Sequence, residues 1–337
     1  MRVLVTGGSG LLGRTTIAAL AGRGHEVVSL QRTQSTQLMC EQVLADVCDA
    51  EAVAAAAAGC DAVIHGAARV GVVGSRDEFR RVNVGGTLAV VEACRTAGVP
   101  RLVVVSSPSV GYESASTVGA GAEAPITSRS DGSWYSESKA EAELAALAAN
   151  DPALAVTAIR PHAIWGRGDT QLIGRIVERA RAGRLFVVDG GRALIDTTYV
   201  DNAADALVVA AEQLTAGGGL AGRAFVVSNG EPLPVRVLLE RICAAADVPP
   251  PSRDVPLWLA RRMAGTAERL WARFRPDAEP PATRFLVDQL ALAHWFDPRP
   301  FREATGWTPA VSVAEGMLRL AAWYREGESP AGDGLVT

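Results

Sequence analysis

The chain is 337 residues long and 48% hydrophobic, with a formal net charge of -4 and a pI near 5.7. That length exceeds what one hydrophobic core comfortably fills, so it predicts a large domain with a smaller appended lobe. The acidic balance, with no block of basic residues set apart from acids, argues against a nucleic-acid partner, and no run approaches the roughly 18 to 20 apolar residues of a membrane span.

Short β-branched runs at 3–6, 26–30, 42–45, 62–65, 102–106, 155–160 and 225–228 alternate with alanine-rich helical stretches. Such runs, flanked by helix-period segments, indicate a parallel sheet covered on both faces, the α/β doubly wound class of Rossmann type. The expected division is a dinucleotide-binding domain over 1–188 with some later segments returning to it, a smaller mixed substrate lobe over 189–330, and a tail at 331–337. Turn and breaker signals fall at 217–219, in the proline-rich 248–256 and at 278–283. Between the last two lies an amphipathic, basic and aromatic helix at 257–274, read as a cap packed on the core, with contact to a membrane surface as the alternative. A final amphipathic helix is expected at 311–324, and no internal repeat occurs. The cysteines Cys40, Cys48, Cys60, Cys94 and Cys243 are odd in number and lack C-x-x-C spacing, and the first residues read as a strand rather than a signal peptide. The cytoplasm is the compartment expected.

Directly after the first strand come Gly7, Gly8, Ser9, Gly10, Leu11, Leu12 and Gly13, leading into a helix that begins near Leu11. Glycine serves there for a tight turn, close backbone approach to a pyrophosphate and packing of helix on strand, while the helix N-terminus supplies N–H donors. The second strand ends Ser29-Leu30-Gln31-Arg32, without the acid that usually meets an adenosine ribose. An arginine fork suits a 2′-phosphate, so NADP is the expected cofactor, with NAD the alternative if Arg32 is only a solvated surface residue.

Lys139 is the single lysine among 33 Lys and Arg residues, and it stands four residues after Tyr135. With four tyrosines in the chain, chance would place it so about once in a hundred sequences. The i, i+4 spacing puts phenol and ammonium on one helical face, where the cation favours the phenolate and brings the phenol toward a working pKa. Ser106 and Ser107 follow the strand at 102–105, at the carboxyl edge where open α/β sheets bind ligands. A hydroxyl there can steady a carbonyl oxygen as charge develops on it, although a serine cluster alone is commonly turn chemistry.

With these segments the chain resembles the extended short-chain dehydrogenase/reductases, from Met1 to about Tyr324. The matching pieces are TGGSGLLG, Asp46-Val47, His65-Gly66-Ala67-Ala68, Asn83-Val84-Gly85-Gly86-Thr87, Ser107-Pro108-Ser109-Val110, YSESK and Arg160-Pro161. The resemblance implies Asp46 and Val47 at the adenine, Ala67 beside the dinucleotide, Asn83 in the proton path, and Pro161 and His162 by the nicotinamide. It favours Ser107 over Ser106, because Ser107 stands three before Val110, and it implies a homodimer through two helices. Trp165-Gly166-Arg167-Gly168-Asp169, Asp196-Thr197-Thr198-Tyr199-Val200-Asp201-Asn202 and His294-Trp295-Phe296-Asp297 look like the 3β-hydroxysteroid dehydrogenase-like branch, which includes sterol-4-carboxylate 3-dehydrogenases and bacterial 2-alkyl-3-oxoalkanoate reductases. The stretch 71–75 leans toward the latter, and Arg167 departs from the family's proline.

The function so implied is an oxidoreductase interconverting a ketone and a secondary alcohol on a bulky apolar substrate. Tyr135 would carry the proton, Ser107 would steady the oxygen, and Lys139 would hold the ribose and tune Tyr135. Trp258, Trp271, Phe274 and Phe285 either line an apolar substrate site or form plain core. A nucleotide-sugar epimerase or dehydratase, using Arg175, Arg179, Arg181 and Arg184, is the reading from another reaction class, and a dinucleotide sensor without turnover is a third. His65, His162 and His294 stand far apart in sequence without metal-ligand spacing, so no metal is expected.

Overall fold

The computed structural model describes residues 1–71, 73–111, 115–122, 125, 127–128, 133–275 and 283–327. The expected tail at 331–337 and most of the breaker at 278–283 lie outside these described residues.

Each predicted strand is present, and together they make one parallel sheet. β1 (Arg2–Thr6), β2 (Glu26–Gln31), β3 (Glu41–Leu44), β4 (Ala62–His65) and β5 (Arg101–Val105) are joined by the strands Ala155–Pro161 and Arg223–Val227. Across the sheet the order runs Arg223–Val227, Ala155–Pro161, β5, β4, β1, β2, β3. The strand order reverses between β1 and β4, where Thr6 is in register with His65, and it is outside the carboxyl ends at such a reversal that open α/β sheets take their ligands.

Alternation along each strand fills two cores. Val3 and Val5 enter one with Ile17 and Leu20 of helix α1 (Leu11–Gly22) and with Leu207 of the helix Val200–Gln213. Leu4, pointing the other way, enters the second with Val90 and Cys94 of the helix Gly86–Ala97. Both faces are therefore dry, which is why these strands read as continuous apolar runs instead of alternating ones.

The lobe is built on a four-stranded sheet, Leu233–Pro234, Leu194–Ile195, His294–Phe296 and Thr117–Ala120. A separate core of Trp165, Tyr199, Leu239, Ile242, Leu320 and Trp323 lies in it. The helix Leu257–Phe274 forms with the predicted ends, and Ala260 and Ala264 bury one side of it against Val188 and Val287. Two of its aromatics correct the reading of plain core: Trp258 is 68% and Phe274 69% exposed. Trp271 is half-buried, and the side chain of Phe285 is outside the described set. Among the described residues no helix is long and apolar enough to cross a membrane.

Candidate active site

The glycines after β1 differ in what holds them. Gly7 has φ +78°, and a Cβ there would lie 2.8 Å from the Ala67 nitrogen, so the loop presses on the end of β4. A Cβ on Gly8 would meet Ser29 Oγ at 1.9 Å, and one on Gly13 would meet Gly7 O at 2.2 Å. Gly10 is different: a Cβ there finds only Gly7 O, at 3.5 Å. Its α-carbon faces open space beside the start of α1, which has no side-chain cap. The N–H groups of Leu11, Leu12 and Gly13 thus form an uncapped positive helix end next to a Cβ-free surface, with Ser9 exposed at its rim. A pyrophosphate fits this cradle.

At the end of β2 the place of an acid is taken by a neutral network. Gln31, 4% exposed, donates from Nε2 to Gln42 Oε1 at 2.7 Å and accepts from Ser29. Arg32 follows it, exposed. Asp46 accepts from the Cys48 N–H at 2.9 Å, which with Arg81 at 3.5 Å holds its carboxyl below the usual range, and Val47 is buried against Gly86.

The helix Trp134–Ala148 starts on Ser133, whose hydroxyl accepts from the Ser136 N–H, and carries Tyr135, half-buried, one residue in. Lys139 is 4% exposed and its Nζ donates to Val105 O at 2.6 Å. Burial lowers its pKa from 10.5 to about 8, while the Glu143 carboxylate pulls it upward. Val105 ends β5, two residues before Ser107, so this one bond ties the Tyr135 helix to the strand that delivers the serine. Ser107 is half-buried and its Oγ lies 2.9 Å from Ser109 Oγ; Ser106 is buried, its hydroxyl without a hydrogen-bond partner among the described residues.

Asn83 lies in a π-helical turn, Arg81–Gly85, a local widening that recurs at functional sites. Its side chain accepts from the Arg69 N–H at 2.7 Å and donates to Ser138 Oγ at 2.8 Å, and Ser138 donates in turn to Tyr135 O at 2.9 Å. Sequence reasoning missed the chain behind it. Thr87 Oγ1 donates to Asn83 O at 2.6 Å, so it accepts from His65 Nε2 at 3.0 Å; His65 Nδ1 then accepts from Thr6 Oγ1 at 2.8 Å, and Thr6 accepts from the Ala67 N–H. Burial and the nearby Lys139 charge push the His65 pKa down to about 3, so the imidazole is neutral and the chain has one direction. Glu143 was also missed. It is fully buried, one helical turn past Lys139, and takes a bidentate pair from Arg160 at 2.8 and 2.5 Å. Its i, i+4, i+8 spacing with Tyr135 and Lys139 was the signal.

Pro161 ends its strand at the same edge, His162 follows it, and Ala163 takes a left-handed φ of 43° as the chain turns away. Two of the three histidines, distant in sequence, meet here. His162 Nε2 lies 3.2 Å from His294 Nδ1, and His294 Nε2 donates to Gln289 O at 2.6 Å. The three segments that suggested the family branch meet here: Thr198–Tyr199 pairs with Ile164–Trp165, Ile195 pairs with His294 within the lobe sheet, and Thr198 Oγ1 lies 2.7 Å from His162 O at the end of the central sheet. Arg167 is exposed at the edge of this joint, and its loop is held by Asp169, which accepts from the N–H groups of Gln171, Leu172 and Ile173. Of the arginines considered for a nucleoside diphosphate, Arg181 and Arg184 are exposed and Arg175 and Arg179 half-buried. A cavity of about 280 Å³ opens beside Pro108, bounded by Gly111, Thr117, Ala120, Arg160 and Phe296.

A glycine cradle at a strand-order reversal, with a Tyr/Lys helix bonded to a serine-bearing strand, is the arrangement of an extended short-chain dehydrogenase/reductase: an oxidoreductase that uses a nicotinamide cofactor. Residues 4–257 match the model of the 3-beta hydroxysteroid dehydrogenase/isomerase family, and the chain belongs to that family. It is 44% identical to a 2-alkyl-3-oxoalkanoate reductase of Stenotrophomonas maltophilia, over 96% of this chain and 99% of the relative. It is 32% identical to the human sterol-4-alpha-carboxylate 3-dehydrogenase, decarboxylating, over 96% and 88%. Among solved structures it is similar in fold to MoeE5 in complex with UDP-glucose and NAD (TM-score 0.72, 23% identity, 98% and 100% covered) and to a UDP-glucose 4-epimerase of Thermotoga maritima (TM-score 0.73, 19% identity, 97% and 100% covered).

Proposed function

We propose that this protein reduces the ketone of a 2-alkyl-3-oxo acid to the secondary alcohol, with NADPH as reductant. The observation that carries the reading is the Lys139–Val105 bond, which fixes the chain's single lysine between Tyr135 and the Ser107 strand. When bound, the dihydronicotinamide supplies hydride to the carbonyl carbon. Tyr135 gives its phenolic proton to the carbonyl oxygen, and Ser107 donates a hydrogen bond to that oxygen as it gains charge. Lys139 holds the ribose and, as a cation, favours the phenolate left behind. Gly7, Gly10 and Gly13 cradle the pyrophosphate with Leu11 and Leu12, Pro161 and His162 flank the nicotinamide, and Asp46, Val47, Ala67 and Asn83 shape the adenine side and the path to Tyr135. The exposed Arg32 beside neutral Gln31 supports NADPH over NADH. The likeness to the 2-alkyl-3-oxoalkanoate reductase supports the substrate over a sterol.

Five free cysteines support a reducing cytoplasm, and the exposed Leu88 and Leu144, on helices that touch, support a homodimer through those helices. The test follows absorbance at 340 nm with NADPH or NADH against 2-alkyl-3-oxo acids, 3-oxosteroids and UDP-sugars. Oxidation of NADPH by the acids is expected, abolished in Tyr135→Phe with cofactor binding kept. Silence with every ketone beside interconversion of UDP-sugars would make the protein an epimerase, and near-normal turnover of the phenylalanine variant would remove Tyr135 from its role.

A further inference from the structure

His65 stands between the two halves of the site. It ends β4 in register with Thr6, the residue before the glycine cradle, and both are fully buried. Thr6 Oγ1 receives the Ala67 N–H at 3.2 Å and donates to His65 Nδ1 at 2.8 Å. On the other side of the ring, His65 Nε2 donates to Thr87 Oγ1 at 3.0 Å and Thr87 donates to Asn83 O at 2.6 Å. Asn83 then spreads the contact. Its amide accepts from the Arg69 N–H at 2.7 Å and donates to Arg69 O at 3.2 Å, and it also donates to Ser138 Oγ at 2.8 Å in the helix of Tyr135.

A buried row of this kind either carries protons or fixes distances. To carry protons its ends must exchange them, and here one end is the amide N–H of Ala67 and the other the carbonyl of Asn83. Neither gives or takes a proton near neutral pH, so the row is a strut. At its first end the cradle presses on β4, since a Cβ on Gly7 would lie 2.8 Å from the Ala67 nitrogen. At its second end Ser138 donates to Tyr135 O at 2.9 Å. Histidine suits the middle position because a rigid ring presents an acceptor on one side and a donor on the other, whereas the amide of Asn or Gln carries both at one tip. Hydride and proton must reach neighbouring atoms of one carbonyl, so the place of the cofactor relative to Tyr135 has to be held.

We propose that His65, bridged by Thr6 and Thr87, is a positioning residue that fixes the separation between the dinucleotide cradle and the Tyr135 helix. The proposal rests on the reading of Tyr135 as the proton donor to the ketone.

Thr87→Val keeps the side-chain shape and removes the hydroxyl, and Thr87→Ser keeps the hydroxyl. In Thr87→Val, kcat is expected to fall about tenfold to a hundredfold, the cost of a displacement on the order of 1 Å, with NADPH affinity and stoichiometry unchanged. Hydride transfer then becomes the slow step, so 4-deuterated NADPH is expected to slow this variant by a larger factor than it slows the wild type. A smaller folded fraction would lower the rate without raising that isotope effect. Thr87→Ser is expected to recover most of kcat. A second measurement needs no substrate. In Thr6→Val, a change on β1, amide hydrogen exchange at 134–139 is expected to quicken about fivefold, the effect of one net hydrogen bond, while the distant helix Val313–Arg325 exchanges as in the wild type. Unchanged kcat in Thr87→Val, a fall without a larger isotope effect, or a fall that serine does not relieve overturns the proposal, and so does unchanged exchange at 134–139 in Thr6→Val. A wild type that oxidises NADPH with no ketone removes the functional reading alone, and the exchange measurement still decides the strut.

Discussion

Lys139 is 4% exposed, and burial lowers its pKa from 10.5 to about 8, with Glu143 opposing the shift. The unfolded lysine keeps its proton up to the higher value and the folded one loses it near the lower. Between them the unfolded state therefore binds more protons, and stability rises with pH across that window. Relative to Lys139→Met, the wild type is expected to gain roughly 3 kcal/mol between about pH 8 and pH 10.5, at 1.36 kcal/mol per unit. Urea unfolding of both proteins across that range checks it, and a difference that does not vary with pH contradicts it. Tyr135 and Lys139 were legible because helical spacing alone places them on one face. Glu143 shares that spacing, but its partner Arg160 lies on a strand, and only folding shows that a buried carboxylate there is compensated.

Each glycine of the cradle looks alike in a motif, yet the space around each separates their work. A methyl group on Gly10 meets nothing closer than 3.5 Å, whereas on Gly13 it falls 2.2 Å from Gly7 O. Gly10→Ala is expected to melt like the wild type and lose about tenfold or more in NADPH affinity, because the methyl group stands where the pyrophosphate approaches. Gly13→Ala is expected to lose about 1 to 3 kcal/mol of stability before any cofactor is added, as overpacking does. Thermal melts and fluorescence titration with NADPH distinguish them; the opposite pattern would mean the phosphates lie elsewhere. The motif named the element that binds, since a strand, a glycine turn and a helix start are local. Which glycine serves the ligand and which the fold depends on Ser29, Ala67 and Gly7 O, brought close by the tertiary structure.

Three buried imidazoles, His65, His162 and His294, are held neutral across the molecule, each with a pKa lowered chiefly by burial. Below the unfolded value of 6.5 the unfolded chain takes up protons that the folded one refuses, so stability is lost as pH falls from there toward the folded values. Each histidine adds up to about 1.4 kcal/mol per pH unit in that window. Urea unfolding from pH 7 to pH 5 is expected to show this slope, flattened in His294→Gln; a flat profile in the wild type contradicts it. This acid weakness sits partly at the joint between domain and lobe, where His162 meets His294 from 132 residues away in the chain. By itself the sequence determined the parallel sheet, the dinucleotide cradle and the Tyr/Lys pair, because strand burial, glycine turns and i, i+4 spacing are local and periodic. Only the tertiary structure decided the His162–His294 contact, the Glu143–Arg160 pair, the tether of Lys139 to Val105 and the outward turn of Trp258 and Phe274. Each of these depends on which distant surface comes to lie against which, and no local period encodes that.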